Sequence, residues 1–271
     1  MLAALCLVLL AAGCDWSLRQ ALFHPLTEQR VKESLAMPAP EPPPVGPGGF
    51  RFAVFGDPQI DKFGTNRLTR FRPEVAAQGI DFVLVLGDLT HDATEDQVTL
   101  VRALLDSLGV PYYATAGNHD LYQRGSWERW KELFGAGCKS FAAGERVRVI
   151  LFDTASGVIG PTQFEWLEAE LARPGIKVVG THYPLYDGPA PALYRLASEA
   201  ERYRLSALLR DVGAWGLFSG HIHAFRASEA AGVRHITCGA MAPDPLDYGE
   251  PGYVLVTFAG DSLAWEFVRL D

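Results

Sequence analysis

Residues 2–12 form an unbroken apolar run. Eleven residues are too few to span a bilayer, which needs about 20, but they match the apolar region of a secretory signal. A weakly amphipathic stretch follows around Leu18, Leu22, Leu26 and Val31, interrupted by Pro25, and gives way to a proline-rich segment at 37–49. Proline at that density favours extended polyproline II and cannot enter a sheet, so the segment is either a tether or a plain disordered linker. From Phe50 onward the pattern changes. Short apolar runs at 52–55, 82–86 and 112–116 each end at or next to glycine, as strands buried on both faces do. Between the last two, Val98, Val101, Leu104, Leu105 and Leu108 make one helical face. Thr94 and Gln97 form a capping box before it, and Gly109 stops it. A second helix is expected from Pro161 or Thr162, with Glu165 completing a box and Phe164, Leu167 and Leu171 buried. Further strands are predicted at 147–152, 178–180, 216–218, 233–237, 253–258 and 263–268, the last two joined by a Gly260-Asp261 hairpin. Parallel units followed by an antiparallel end imply one mixed-sheet α/β domain over 50–271.

Composition narrows this little. The 271 residues are 48% hydrophobic and 21% charged, which excludes wholesale disorder. A net charge of −8 argues against nucleic acid as a partner. Four cysteines are too few for a disulfide scaffold. Leu10-Ala11-Ala12-Gly13-Cys14 resembles the lipobox of bacterial lipoproteins. That resemblance implies a signal at 1–13 cut before a lipidated Cys14, with 14–49 as the anchored segment and the domain held at the cell envelope through its lipid. An ordinary cleaved signal and a secreted protein are the alternative. Cys138 and Cys238 then remain, either paired or as two buried thiols.

The chemistry gathers where the strands end. Gly56-Asp57-Pro58-Gln59, Gly87-Asp88, Gly117-Asn118-His119-Asp120, Gly180-Thr181-His182 and Gly220-His221-Ile222-His223 each follow a predicted strand. Open α/β sheets place ligands at strand carboxyl ends, and carboxylates and imidazoles hold divalent metals. Singly, Asp57 could cap a helix, Asn118 could fill a turn and His182 could be structural. None of these explains five strands ending alike. His24 and His235 lie outside the pattern. Trp127 and Trp130 fit core packing.

In order and spacing these motifs resemble the calcineurin-like metallophosphoesterase superfamily, over about residues 52–237. The resemblance implies a β-sandwich of mixed sheets flanked by helices, in four layers, and two divalent ions (Mn, Fe, Zn or Mg). Asp57, Gln59, Asp88 and His223 would hold the first ion, and Asp88, Asn118, His182 and His221 the second. His119 would be the proton donor to the leaving oxygen, oriented by Asp120. Gln59 departs from the usual histidine and offers a neutral carbonyl oxygen instead. The implied activity is hydrolysis of a phosphomonoester or phosphodiester, from a small molecule or a lipid head group. A non-catalytic lipoprotein that binds metal or phosphate is the alternative. His91, Tyr183 and Tyr186 are candidates for the substrate pocket, and the Gly- and Pro-containing loop 186–203 for setting specificity.

Overall fold

The apolar runs become the strands of two sheets that face each other. The computed structural model describes residues 26–46, 48–61, 64, 66–185, 194–242 and 249–270. The expected signal, Cys14 and Tyr186 lie outside them. In chain order the elements are α1 (Thr27–Leu35), β1 (Gly49–Phe55), α2 (Leu68–Gln78), β2 (Phe82–Leu86), α3 (Glu95–Asp106), β3 (Tyr112–Thr115), α4 (Ser126–Phe134), β4 (Lys139–Ala143), β5 (Val147–Leu151), α5 (Pro161–Leu171), β6 (Ile176–Thr181), α6 (Glu199–Asp211), β7 (Gly216–Ser219), β8 (Arg226–Ala230), β9 (Val233–Thr237), β10 (Gly252–Ala259) and β11 (Ser262–Arg269). The first sheet runs β11-β10-β1-β2-β3 and the second β4-β5-β6-β7-β9-β8. Within them β1, β2 and β3 are parallel, as are β5, β6, β7 and β9. The β10–β11 hairpin turns on Gly260-Asp261, as expected.

Strand alternation assigns the layers. Phe52, Val54, Phe82, Leu84 and Leu86 point inward and meet Phe141, Val149, Leu151, Val178 and Phe218 of the other sheet. Their neighbours Ala53, Phe55, Val83 and Val85 point outward, under Phe71 of α2, Val101 and Leu105 of α3, and Trp127 and Trp130 of α4. On the far side, Ile150, Val179 and Leu217 are covered by Val31 of α1, Leu167 of α5 and Leu205 of α6. The result is the four-layer helix–sheet–sheet–helix arrangement, with every parallel strand buried on both faces.

Three local expectations are corrected. Thr94 caps α3 by accepting from Gln97 N, but the Gln97 side chain turns away to Asp92 instead of closing the box. The start of α5 carries no box from Glu165. Its free amides are met from outside, Ile159 and Gly160 by Glu201 and Thr162 by Glu28. The stretch before Phe50 is also not a free tether where it is described. α1 packs on α5, Tyr113 Oη donates to Glu41 O at 2.8 Å, and Val45 joins the inter-sheet core. Cys138 and Cys238 are both buried free thiols.

The strongest tie of α1 is ionic. Arg30 Nε and Nη2 donate to Asp153 Oδ2 and Oδ1 at 2.8 and 3.1 Å, with both side chains fully buried. A carboxylate left there alone would be a buried, uncompensated charge. Arg30→Ala is therefore expected to lower unfolding free energy by about 3–5 kcal/mol in urea denaturation. A chain starting at residue 50 should show a comparable loss. A change below about 1 kcal/mol for Arg30→Ala would mean that water reaches Asp153.

Candidate metal centre

The parallel strands of both sheets deliver their carboxyl ends to one edge. Asp57 follows β1, Asp88 follows β2, Asn118 and His119 follow β3, His182 follows β6, and His221 and His223 follow β7. The backbone there is bent in an unusual way. Among the described residues seven non-glycines have positive φ, and five of them are Asp57, Gln59, Asp88, His221 and His223. Left-handed backbone costs a non-glycine residue about 1–3 kcal/mol and persists where the surroundings enforce it. Here it aims the five side chains inward. Two glycines make room for the carboxylates. A Cβ on Gly117 would overlap the nitrogen and Oδ1 of Asp88, and one on Gly220 would sit 2.6 Å from Asp57 Oδ2.

The donor atoms form two groups that share Asp88. In one, Asp57 Oδ1 lies 3.2 Å from His223 Nε2, and the Gln59 amide lies against Asp88 Oδ2 at 3.4 Å. Turning that amide over, its two ends being nearly the same size, would present Oε1 as a donor to a cation. In the other group, His182 Nε2 is 3.0 Å from Asn118 Oδ1, 3.2 Å from His221 Nδ1 and 3.4 Å from Asp88 Oδ2. His182 Nδ1 faces the Leu86 carbonyl at 2.8 Å. A carbonyl only accepts, so Nδ1 carries a proton and neutral His182 presents a bare Nε2. Its lone pair then meets a carbonyl oxygen, a carboxylate oxygen and a second imidazole nitrogen. A cation satisfies such a group, and these residue types suit a divalent metal.

The electrostatics agree. Burial opposes ionisation of Asp88, but His182 and His119 hold its carboxyl well below the usual range. Burial also opposes charge on His182, yet Asp88 beside it raises the pKa to about 9. That is the same demand for positive charge met by a proton. Burial, reinforced by His182, lowers His221 well below its ordinary value and keeps it neutral.

All seven sequence-predicted ligands therefore come together. His119 stands at their rim, 21% exposed, with Nε2 4.0 Å from Asp88 Oδ2. Asp120 is a correction, because it does not orient His119. Its Oδ1 accepts from Thr90 N and Oγ1 and its Oδ2 from Gly117 N. Burial and the charge of Asp88 raise its pKa to about 7. His119 Nδ1 instead meets the main-chain carbonyl of His91 at 2.7 Å. The His91 ring lies beside that of His119, centroids 5.4 Å apart, and pairs with Asp92. Tyr183 is buried against His221, a candidate ligand, ring centroids 3.8 Å apart, so it backs the site. Two residues were missed. Tyr194 is 42% exposed with its ring 6.0 Å from that of His221. Tyr122 sits on His119 and Asn118. The only sequence signals were an aromatic in the loop after His182 and one four positions beyond Asn118.

The family model for calcineurin-like phosphoesterases matches residues 50–225. The chain belongs to that family. Among curated proteins none matches it by sequence. Solved structures share the fold at low identity. A dimetal phosphatase from Danio rerio has a TM-score of 0.64 at 14% identity, over 82% of this chain and 96% of its own. A purple acid phosphatase from yellow lupin seeds has a TM-score of 0.64 at 18% identity, over 85% of this chain and 53% of its own. GAP50, the anchor in the inner membrane complex of Plasmodium, also has a TM-score of 0.64 at 16% identity, over 82% and 84%. Family membership and the converging donors support a metal-dependent phosphoesterase.

Two variants of this phosphoesterase test the centre. Gly117→Ala should weaken Mn²⁺ binding by at least about 10-fold in calorimetric titration, because its Cβ displaces Asp88. Gln59→His should tighten one of the two ions, since imidazole binds first-row metals better than a neutral amide oxygen. Unchanged isotherms would remove Asp88 and Gln59, respectively, from the ligand set.

Proposed function

We propose that the protein hydrolyses a phosphomonoester or phosphodiester with a pair of divalent ions. The first ion is assigned to Asp57, Gln59, Asp88 and His223, the second to Asp88, Asn118, His182 and His221. The observation that carries this is Asp88, a single buried carboxylate common to both donor groups. Two ions bound there would supply a nucleophile from water at neutral pH and neutralise the phosphoryl oxygens.

His119 does the remaining work. Its Nδ1 proton is held by the His91 carbonyl, so Nδ1 stays protonated in both charge states and Nε2 is the nitrogen that exchanges. Protonated His119 donates from Nε2 to the leaving oxygen, and water then recharges it. Its amide donates to Asp88 Oδ1 at 2.9 Å, which fixes the imidazole beside the shared carboxylate. The exposed Tyr194, beside His221, and His91, beside His119, are assigned to substrate contact. The apolar run at 2–12 and Cys14 support an envelope-facing, lipid-anchored enzyme whose substrate is a soluble phosphate ester or a lipid head group.

The test is hydrolysis of p-nitrophenyl phosphate and bis(p-nitrophenyl) phosphate by the full chain with Mn²⁺. At least one ester should turn over. His119→Ala should lower kcat by about 10²–10⁴ while Mn²⁺ binding is retained. Two bound ions with no turnover of either ester would favour a protein that captures phosphate without reaction.

A further inference from the structure

The chain enters the domain at the edge that carries the donors. Leu26, the first described residue, is 78% exposed and immediately precedes α1. Glu28 then accepts from Thr162 N and Oγ1 at the start of α5 and fills the space beside Gly160. Arg30 grips Asp153. Asp153 and Gly160 belong to the loop after β5, which runs parallel to β6 and β7. That loop therefore stands on the same edge as His182, His221 and His223. Within it, Thr154 bonds Thr181 Oγ1 and Tyr183 N, on either side of His182. The start of α6 lies there too. Leu196 N donates to Pro184 O, two residues past His182, and Glu201 accepts from Ile159 and Gly160. Five large apolar side chains are exposed among the described residues, and three of them, Leu26, Tyr194 and Tyr203, are on this edge. Tyrosine suits a boundary where its ring meets apolar matter and its hydroxyl stays wet.

We propose that this edge faces a lipid bilayer, and that the ester hydrolysed at the metal centre is the phosphate head group of a lipid in that bilayer. This rests on the anchored phosphoesterase reading above. Length decides the orientation. Leu26 is twelve residues beyond Cys14. Whatever its conformation, that length of chain reaches at most about 43 Å, and as a flexible coil it averages about 20 Å. The domain is about 45 Å across. A chain fixed at this edge brings the donors to the head groups. It is too short to present the opposite edge, where β1 begins and the β10–β11 hairpin turns. A soluble ester gains nothing from such closeness. A head group that stays in the bilayer is reached only by a centre so placed.

The experiment uses the acylated full chain in phosphatidylcholine vesicles, with a donor dye on Tyr203→Cys or, at the far edge, on Ser262→Cys, and an acceptor dye on the lipid head groups. Cys138 and Cys238 are buried and do not take the dye. Energy transfer should be at least about twofold more efficient from position 203 than from 262, given the breadth of the domain. The same vesicles, without dyes, then carry phosphatidic acid, a monoester, or phosphatidyl-p-nitrophenol, a diester. Hydrolysis with Mn²⁺ present consumes one water and releases diacylglycerol and phosphate from the first, or phosphatidic acid and p-nitrophenol from the second. At equal bulk concentration at least one lipid should react about 10-fold or more faster than its dihexanoyl counterpart, which has the same head group but stays in solution. Equal transfer from both positions, or stronger transfer from 262, overturns the orientation. Dihexanoyl esters hydrolysed as fast as the vesicle-borne lipids, or hydrolysis of p-nitrophenyl phosphate and of neither lipid, overturns the lipid substrate. An unacylated Cys14 by mass spectrometry, or no hydrolysis of any of these esters, overturns instead the reading on which the inference rests.

Discussion

A buried carboxylate is among the costliest groups a protein can carry unless positive charge stands beside it. Asp88 is such a group, 1% exposed at the end of a strand buried on both faces. Its two oxygens are used differently. Oδ1 takes the amide of His119, while Oδ2 faces Gln59, His182 and the His119 ring. The surrounding architecture is arranged for this side chain. Gly117 leaves it space, and left-handed backbone at Asp88 itself turns it inward. The charge that compensates it must come from the histidines or from a bound cation. Stability and chemistry therefore draw on the same electrostatic demand.

That demand reaches into both sheets because no single sheet carries enough donors. β1, β2 and β3 supply the carboxylates and amides, while β6 and β7 supply the imidazoles of His182, His221 and His223. The inter-sheet core of phenylalanine, leucine and valine holds the two edges in register. A second buried ion pair lies on the outer side. Asp153, held by Arg30, is followed by Thr154, whose hydroxyl meets Thr181 Oγ1 and accepts from Tyr183 N, both at 2.8 Å. Those two residues flank His182. The helix before the proline-rich stretch is thus braced to the segment that carries His182, a candidate metal donor.

The sequence made the strands visible wherever burial on both faces left an uninterrupted apolar run, as in Phe82–Leu86. It hid β4, whose Lys139 and Ser140 break the apolar run, and β8, an edge strand exposed along nearly all its length. α2 was masked by Pro73 inside it. α6 was masked by its polar length, although Ser198 caps it. α1 is polar on average, and its buried positions include Thr27, Arg30 and Ser34, which only a tertiary partner explains. The site was far more legible than these elements, since ligand types at strand ends are written directly in the chain. Tyr122 and Tyr194 were not, because each acts across space on a residue that local pattern does not connect to it.

Asp120 shows where adjacency misleads. It follows His119 in a 3-10 turn, and successive residues of a helical turn do not face each other. While His119 turns to the metal edge, Asp120 turns under it. There it collects two donors from Thr90, on the loop after β2, and one from Gly117, on the loop after β3. Those loops carry Asp88 and Asn118. A neutral side chain offers fewer acceptor sites than a carboxylate, which can take all three donors at once. Burial and Asp88 disfavour the negative charge of Asp120, while the amides of Gly117 and Thr90 favour it. Asp120 fixes the spacing between the loops of Asp88 and Asn118, two candidate metal ligands, and it leaves His119 to a neutral carbonyl partner that can only accept.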